Sequence, residues 1–189
     1  LKIGKKAEQQ SFSKYGLYNR GMQIVKLYVV DTELGRKHFR FLLENVSAHQ
    51  KEKALKLANE IDQIRSLLYS YLKNLLSEEE LLKNENGKPY FANGPYFNVS
   101  HSGRYVLMVV STAEIGVDIE EIKDKDMSAL VRIFNEAEAK MIKEHSDFYY
   151  LWCAKESLIK CMGLSVGQVR EIPSLPLNGL KTFKGKDYQ

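Results

Sequence analysis

Residues 97–123 read "FNVSHSGRYVLMVVSTAEIGVDIEEIK". Segments 95–100 and 104–111 are short and rich in β-branched and aromatic residues, with "HSG" between them, which predicts two strands joined as a hairpin. A third strand is expected over 115–120. Its two-residue period turns Val117 and Ile119 one way and Asp118 and Glu120 the other. Such alternation is ordinary for a half-buried strand that keeps its apolar pair inside and its acids in water. The alternative is that the two carboxylates flank a cation: Mg²⁺ takes oxygen ligands and leaves positions for water or phosphate oxygens.

Working outward, "MQIVKLYVV" (22–30) reads as a strand and "GRKHFRFLLE" (35–44) as a short helix. From Ser47 to Leu76 the apolar residues Leu55, Ala58, Ile61, Ile64, Leu68, Leu72 and Leu75 keep helical spacing, as one long helix or two. Ser77 with Glu80 is a capping-box pattern opening a short helix, and "NENGKPYFANGP" after it is rich in turn residues. Residues 128–145 are expected to be helical with a break near Asn135. Asp147 could cap a further helix, "FYYLWCAKESLIKCM", that Gly163 ends. Helices and strands alternate without regular βαβ units, so the fold class is α+β.

The 189 residues, 44% apolar and 28% charged, suit one soluble domain or two small halves folded together. No apolar run reaches the ~18 residues that a membrane-spanning helix needs. Cys153 and Cys161 fall in one predicted helix without zinc-site spacing or the count of a disulfide framework. A reducing cytoplasm follows as the expected location. Residues 1–21 hold five Lys/Arg and one acid, which accounts for the whole net charge of +4 and leaves 22–189 neutral. The balance disfavours a nucleic-acid surface. Residues 1–21 lack a starting Met and are read as a basic lead-in or tag outside the core fold, which is expected to begin near Met22.

Two other pieces bear on the acidic pair. In "LWCAKESLIK" (151–160), Glu156 and Lys160 are an i,i+4 pair, often only a surface salt bridge. Trp152 shares their helix face, which favours a cleft. In "NVSHSGR" a lone histidine sits at a turn of small residues, where hydroxyls and backbone N–H groups can gather around an anion. No Walker A, GxGxxG or nucleophile-elbow pattern occurs. Together the pieces describe a metal-plus-phosphate site.

These blocks, "GKPYF…FNVSHSG", "GVDIE" and "FNEAEAKMI…LWCAKESLIK", resemble those of the Sfp-type 4′-phosphopantetheinyl transferases, in the family's order and over roughly residues 22–165. The resemblance implies two similar α+β halves in a pseudo-twofold arrangement, here 22–110 and 111–189, with the active site between them. It implies transfer of the 4′-phosphopantetheine arm of coenzyme A to a serine of an apo acyl or peptidyl carrier protein, releasing adenosine 3′,5′-bisphosphate. Mg²⁺ is the implied ion, with Mn²⁺ as a substitute, and the enzyme is expected to be a monomer that binds neither membrane nor nucleic acid. Matching positions make Asp118, Glu120 and Glu156 the metal ligands, and Glu156 or Lys160 the group that helps deprotonate the serine. Lys53, Arg65, Ser66, Lys88, Ser100, His101 and Lys160 become coenzyme A contacts. A second family lysine aligns with Gln50, next to Lys51. Glu138 matches an acidic position of the third block and equally fits a capping box. The family continues with further strands after this block, so the second half is expected to be short or incomplete at its end. Competing readings are another Mg²⁺-dependent phosphoryl or nucleotidyl transferase, and a non-catalytic binding module.

Overall fold

The computed structural model describes residues 13–20, 23–124, 126 and 130–172. Strands β1 (Ser13–Arg20), β2 (Gln23–Asp31), β5 (Tyr96–Ser102) and β6 (Tyr105–Ser111) form an antiparallel sheet in the order β1-β2-β6-β5. Between β2 and β5 the chain makes helices α1 (Thr32–Lys37), α2 (Phe39–Glu44), α3 (Ala48–Leu55) and α4 (Glu60–Asn74). A two-stranded hairpin, β3 (Leu82–Lys83) with β4 (Pro89–Tyr90), follows. After the sheet come a 3₁₀ turn (Val131–Ile133), the four-residue α5 (Glu136–Ala139), the long α6 (His145–Met162) and a second 3₁₀ segment (Val166–Glu171).

The sheet has two unlike faces, and its register assigns each residue to one of them. Val30 opposes Val106, Tyr28 opposes Met108 and Val99 opposes Met108, so these side chains share a face. That face packs on Leu42, Ala54, Ile64, Leu67, Leu68 and Leu72 of the helices, with Phe91 and Phe97, as the main core. In α4 the buried residues Ile64, Leu67, Leu68 and Leu72 recur at helical spacing. Gly35 of α1 lets the two helices touch, since a Cβ there would meet Ile64 Cγ2 at 2.5 Å. The opposite face carries Asn98, Ser100 and Ser102 of β5 beside Leu107 and Val109 of β6. Residues 115–121 and α6 lie against this second, partly polar face.

The sequence reading needs four corrections. Segment 115–120 forms no strand among the described residues: the Val117 N–H goes to the Asn98 side chain of β5, and Asp118 and Glu120 accept from Ser100 and Ser102. Ser77 opens no helix; its hydroxyl accepts from the Glu79 N–H in a local turn, a bond that competes with helix formation. The helix foreseen over 128–145 is reduced, among described residues, to the 3₁₀ turn and α5. The segment 13–20, read as part of a lead-in outside the fold, pairs with β2 as the outer strand of the sheet. Two boundaries also shift: the helix expected over 35–44 is two helices parted at His38, and α6 starts at His145 with Glu144 as its N-cap and Asp147 inside it, completing the capping box. Ser47 to Leu76 is two helices, and α6 ends at Gly163 with φ 68°, a left-handed turn that glycine adopts without a Cβ penalty.

Candidate active site

Three alternate residues of β5 act as a rack for the acidic segment. Asn98 Oδ1 accepts the Val117 N–H at 2.9 Å, Ser100 Oγ donates to Asp118 Oδ1 at 2.7 Å, and Ser102 Oγ donates to Glu120 Oε2 at 2.9 Å. Ser102 Oγ also accepts the Glu121 N–H at 3.1 Å. The alternation read in the sequence is thus real, but it serves side-chain hydrogen bonds to a sheet face. Asp118 and Glu120 turn toward the protein, while Ile119 between them is itself buried.

Helix α6 closes the other side. Lys160 Nζ reaches Asp118 Oδ1 at 2.5 Å, Ser100 Oγ at 3.1 Å and Glu156 Oε2 at 3.0 Å. Trp152 Nε1 donates to Glu120 Oε1 at 3.2 Å, so one face of α6 meets Glu120 through Trp152 and Asp118 through Lys160, and adds the Glu156 carboxylate. Close contact between α6 and 115–121 depends on Gly116. A Cβ there would lie 1.9 Å from Ser157 O and 2.6 Å from Cys161 N, both backbone atoms of the helix.

The electrostatics follow from this packing. Burial and the neighbouring Asp118 charge hold the Glu120 carboxyl above the usual range, only partly opposed by the bonds from Ser102 and Trp152. Burial pulls the Lys160 ammonium down, but the charges of Asp118 and Glu156 and their hydrogen bonds outweigh it, and its pKa is raised. The Cys153 thiol is pushed far up by burial, then by Asp118, and stays protonated beside that carboxylate. Asp118 Oδ2 is buried and has no hydrogen-bond partner among the described residues.

Among the described residues no three His, Cys, Asp or Glu side chains stand close enough to hold a metal ion. The Lys160 ammonium lies between Asp118 and Glu156 instead. The donors nevertheless suit a hard cation: all are carboxylate oxygens, one buried oxygen has no partner among the described residues, and burial together with repulsion by Asp118 raises Glu120. Magnesium therefore fits the chemistry of these residues.

The expected anion contacts divide into two groups. His101 sits near the end of β5 on the sheet face opposite to Ser100, where partial desolvation and then the Arg65 cation lower its pKa, with Asp62 opposing and Lys160 adding to the effect. Arg65 donates to Gly103 O, pairs with Asp62 at 2.9 Å, and has a buried Nε with no partner among the described residues. Ser100 and Lys160 thus meet on the polar face, whereas His101, opposite Val106, and Arg65 of α4 stand together at the end of the helix-covered face, within electrostatic reach of Lys160. Lys53 is exposed on α3 and Ser66 half-buried on α4, and no hydrogen bond or ion pair among the described residues joins either to the cluster. Gln50 completes the Ser47 capping box and bonds Asn74. Lys88 pairs with Glu114 and donates to Cys161 O.

Sequence reasoning missed Asn98 and Ser102, although their two-residue spacing about Ser100 is a readable signal. It also missed what Lys155 does. Lys155 and Glu138, each 2% exposed, pair at 3.0 Å, and Lys155 Nζ donates to Val169 O and Ile172 O. Glu138 fills its capping-box role with Asn135 as well. Beside Glu120, an open cavity of about 250 Å³ is lined by Ser102, Glu120, Lys123, Ile133, Tyr149 and Trp152.

Residues 114–183 match the family model of the 4′-phosphopantetheinyl transferase superfamily. The chain is 35% identical over 149 residues to the 4′-phosphopantetheinyl transferase gsp of Aneurinibacillus migulanus, covering 71% of this chain and 63% of that relative. It is 33% identical over 183 residues to the 4′-phosphopantetheinyl transferase ffp of Bacillus subtilis, covering 88% of this chain and 78% of the relative. To the 4′-phosphopantetheinyl transferase Sfp of Bacillus subtilis strain 168 it is 31% identical over 185 residues, covering 89% and 79%.

Proposed function

This chain belongs to the 4′-phosphopantetheinyl transferase superfamily, and from that premise we propose that it transfers the 4′-phosphopantetheine arm of coenzyme A to a serine of an apo acyl or peptidyl carrier protein. The observation that carries the reading is the meeting of Ser100 with Asp118, Glu156 and Lys160 on the polar face of the sheet. The pseudo-twofold pair of α+β halves, 22–110 and 111–189, belongs to the same proposal. It is supported by Ser100 coming from one side of that boundary and the charged groups from the other.

In the reaction, the serine Oγ forms a bond to the β-phosphorus of coenzyme A, and the bond to the bridging pyrophosphate oxygen breaks. Adenosine 3′,5′-bisphosphate leaves and the serine proton is taken up by the protein. Lys160, held cationic by Asp118 and Glu156, suits binding of the pyrophosphate and offsets its charge. A group held protonated is a poor acceptor, so Glu156 is the base in this reading. Ser100, His101 and Arg65 supply further donors for phosphate oxygens, with Lys53 and Ser66 as outer contacts. Asp118, Glu120 and Glu156 would hold Mg²⁺, which supplies charge neutralisation on the pyrophosphate when bound. Positioning the serine in line with the phosphorus provides much of the rest.

No helix among the described residues is long and apolar enough to cross a membrane. A monomer acting in the cytoplasm, without nucleic acid, completes the reading. The test incubates the protein with Mg²⁺, coenzyme A and a panel of apo-carriers and weighs the products. A phosphopantetheine mass gain on a carrier serine is the expected result. No gain on any carrier overturns the reading and favours a different Mg²⁺-dependent transferase.

A further inference from the structure

We propose that the loop "NENGK" (84–88) is a clamp on the C-terminal end of α6, and that Lys88 is a positioning residue acting through it on Glu156 and Lys160. The loop is tightly built. Asn84 Oδ1 accepts the N–H groups of Asn86 and Lys88 at 3.0 and 2.8 Å, Asn84 N donates to Lys88 O at 3.0 Å, and Gly87 turns at φ 84°. From this turn three side chains reach the end of α6. Asn84 Nδ2 and Asn86 Nδ2 donate to Gly163 O at 3.0 and 2.9 Å, and Lys88 Nζ donates to Cys161 O at 2.8 Å.

The chemistry matches the place. The last carbonyls of a helix have no partner inside it, and they carry the negative end of the helix dipole, which a cation complements. Gly163 lets the loop come this close, because a Cβ there would lie 2.6 Å from Asn84 Nδ2 and 3.3 Å from Lys88 Cδ. Lys88 also pairs with Glu114, four residues before Asp118. One ammonium, its side chain 14% exposed, therefore ties the start of the acidic segment to the end of the helix that carries Glu156 and Lys160. Releasing it lets the two carboxylate-bearing elements shift relative to each other.

The consequence for catalysis rests on the transfer activity proposed above, whereas the clamp itself does not, so two readouts are needed. The variants are Lys88→Ala, Lys88→Arg and the double variant Asn84→Ala/Asn86→Ala, whose residues were never expected to touch the nucleotide. Small misplacements of reacting groups are costly, so kcat should fall roughly ten- to a hundredfold in Lys88→Ala and in the asparagine pair. The KM for coenzyme A should stay within about twofold if the Lys88 ammonium serves Cys161 O and Glu114 rather than the nucleotide, and Lys88→Arg should restore most of kcat. Hydrogen exchange at the amides of residues 160–164 should quicken in the first two variants and not in Lys88→Arg. A raised KM with unchanged kcat in Lys88→Ala, beside normal kinetics in the asparagine pair, overturns the proposal and makes Lys88 a nucleotide contact. Unchanged exchange also overturns it. If the wild type transfers nothing, the activity reading falls while exchange still judges the clamp. Should the double variant fail to fold, Asn86→Ala alone replaces it.

Discussion

Lys160 Nζ donates to Asp118 Oδ1 at 2.5 Å across 42 residues of sequence. The Asp118 side chain is 2% exposed and that of Lys160 26%. The pair fastens the acidic segment to α6, and in the absence of metal the ammonium is the principal counter-charge of the site.

Removing that ammonium leaves a buried carboxylate whose other oxygen already has no partner among the described residues. Lys160→Ala should therefore destabilise the metal-free protein by about 1–3 kcal/mol, less than a fully buried pair because Lys160 reaches solvent. Urea denaturation in EDTA measures it. Added Mg²⁺ should recover part of the loss by binding the folded state. Wild-type stability in EDTA would contradict the pairing.

Gly116→Ala places a methyl group against two backbone atoms of α6, neither of which can swing aside. The segment and helix must part, which separates Asp118 from Glu156. A stability loss of about 1–3 kcal/mol is expected, as for overpacking, together with a transferase rate below a tenth of wild type. Thermal melting and the carrier assay check both, and a fully active variant refutes the role given to the glycine.

The Glu138–Lys155 pair predicts non-additivity. Lys155→Met leaves Glu138 as an uncompensated buried charge and should cost about 3–5 kcal/mol. Glu138→Gln should also destabilise, because Lys155 then keeps the Val169 and Ile172 carbonyls and the Phe134 ring but loses its carboxylate partner. The double variant should be more stable than the sum of the singles implies, by about 1–3 kcal/mol. Additive losses in a double-mutant cycle would show that the pair contributes nothing as a pair.

His101 supplies a pH signature. Its folded-state pKa lies below the ordinary 6.5, since desolvation and Arg65 disfavour the cation. The stability it contributes is complete above the unfolded value near 6.5 and is lost as pH falls through the lower folded value. Melting temperatures taken from about pH 8 to about pH 5 should show wild type losing stability relative to His101→Gln on the acid side. A constant difference across the scan would remove His101 as a titrating element.

Patterns with local causes were readable in advance. Ile64, Leu68 and Leu72 of α4 keep helical spacing, Gly163 ends α6 in a left-handed turn, and Tyr105–Ser111 is a strand of buried apolar residues. Asn135 and Glu138 form the capping box their spacing suggests. The residues Ser100, Asp118, Glu156 and Lys160 were all singled out beforehand, and they meet. Segment 115–120 was misread as a strand because alternation reports which side each residue faces, not what hydrogen-bonds to its backbone. Here the partners are Asn98 and Ser102 side chains. The helix expected after Ser77 failed because the hydroxyl was taken by a two-residue turn.

The sequence by itself determined the residue types of the candidate site, the period of each long element and the family blocks, because these depend on neighbours within a turn or two of chain. Only the tertiary structure decided that Lys160 bridges Asp118 and Glu156, that Lys155 is buried against Glu138, and that Lys88 reaches the end of α6. A lysine's partner is set by whichever carboxylates and carbonyls packing brings within about 3 Å. Spacing along the chain carries no record of that distance.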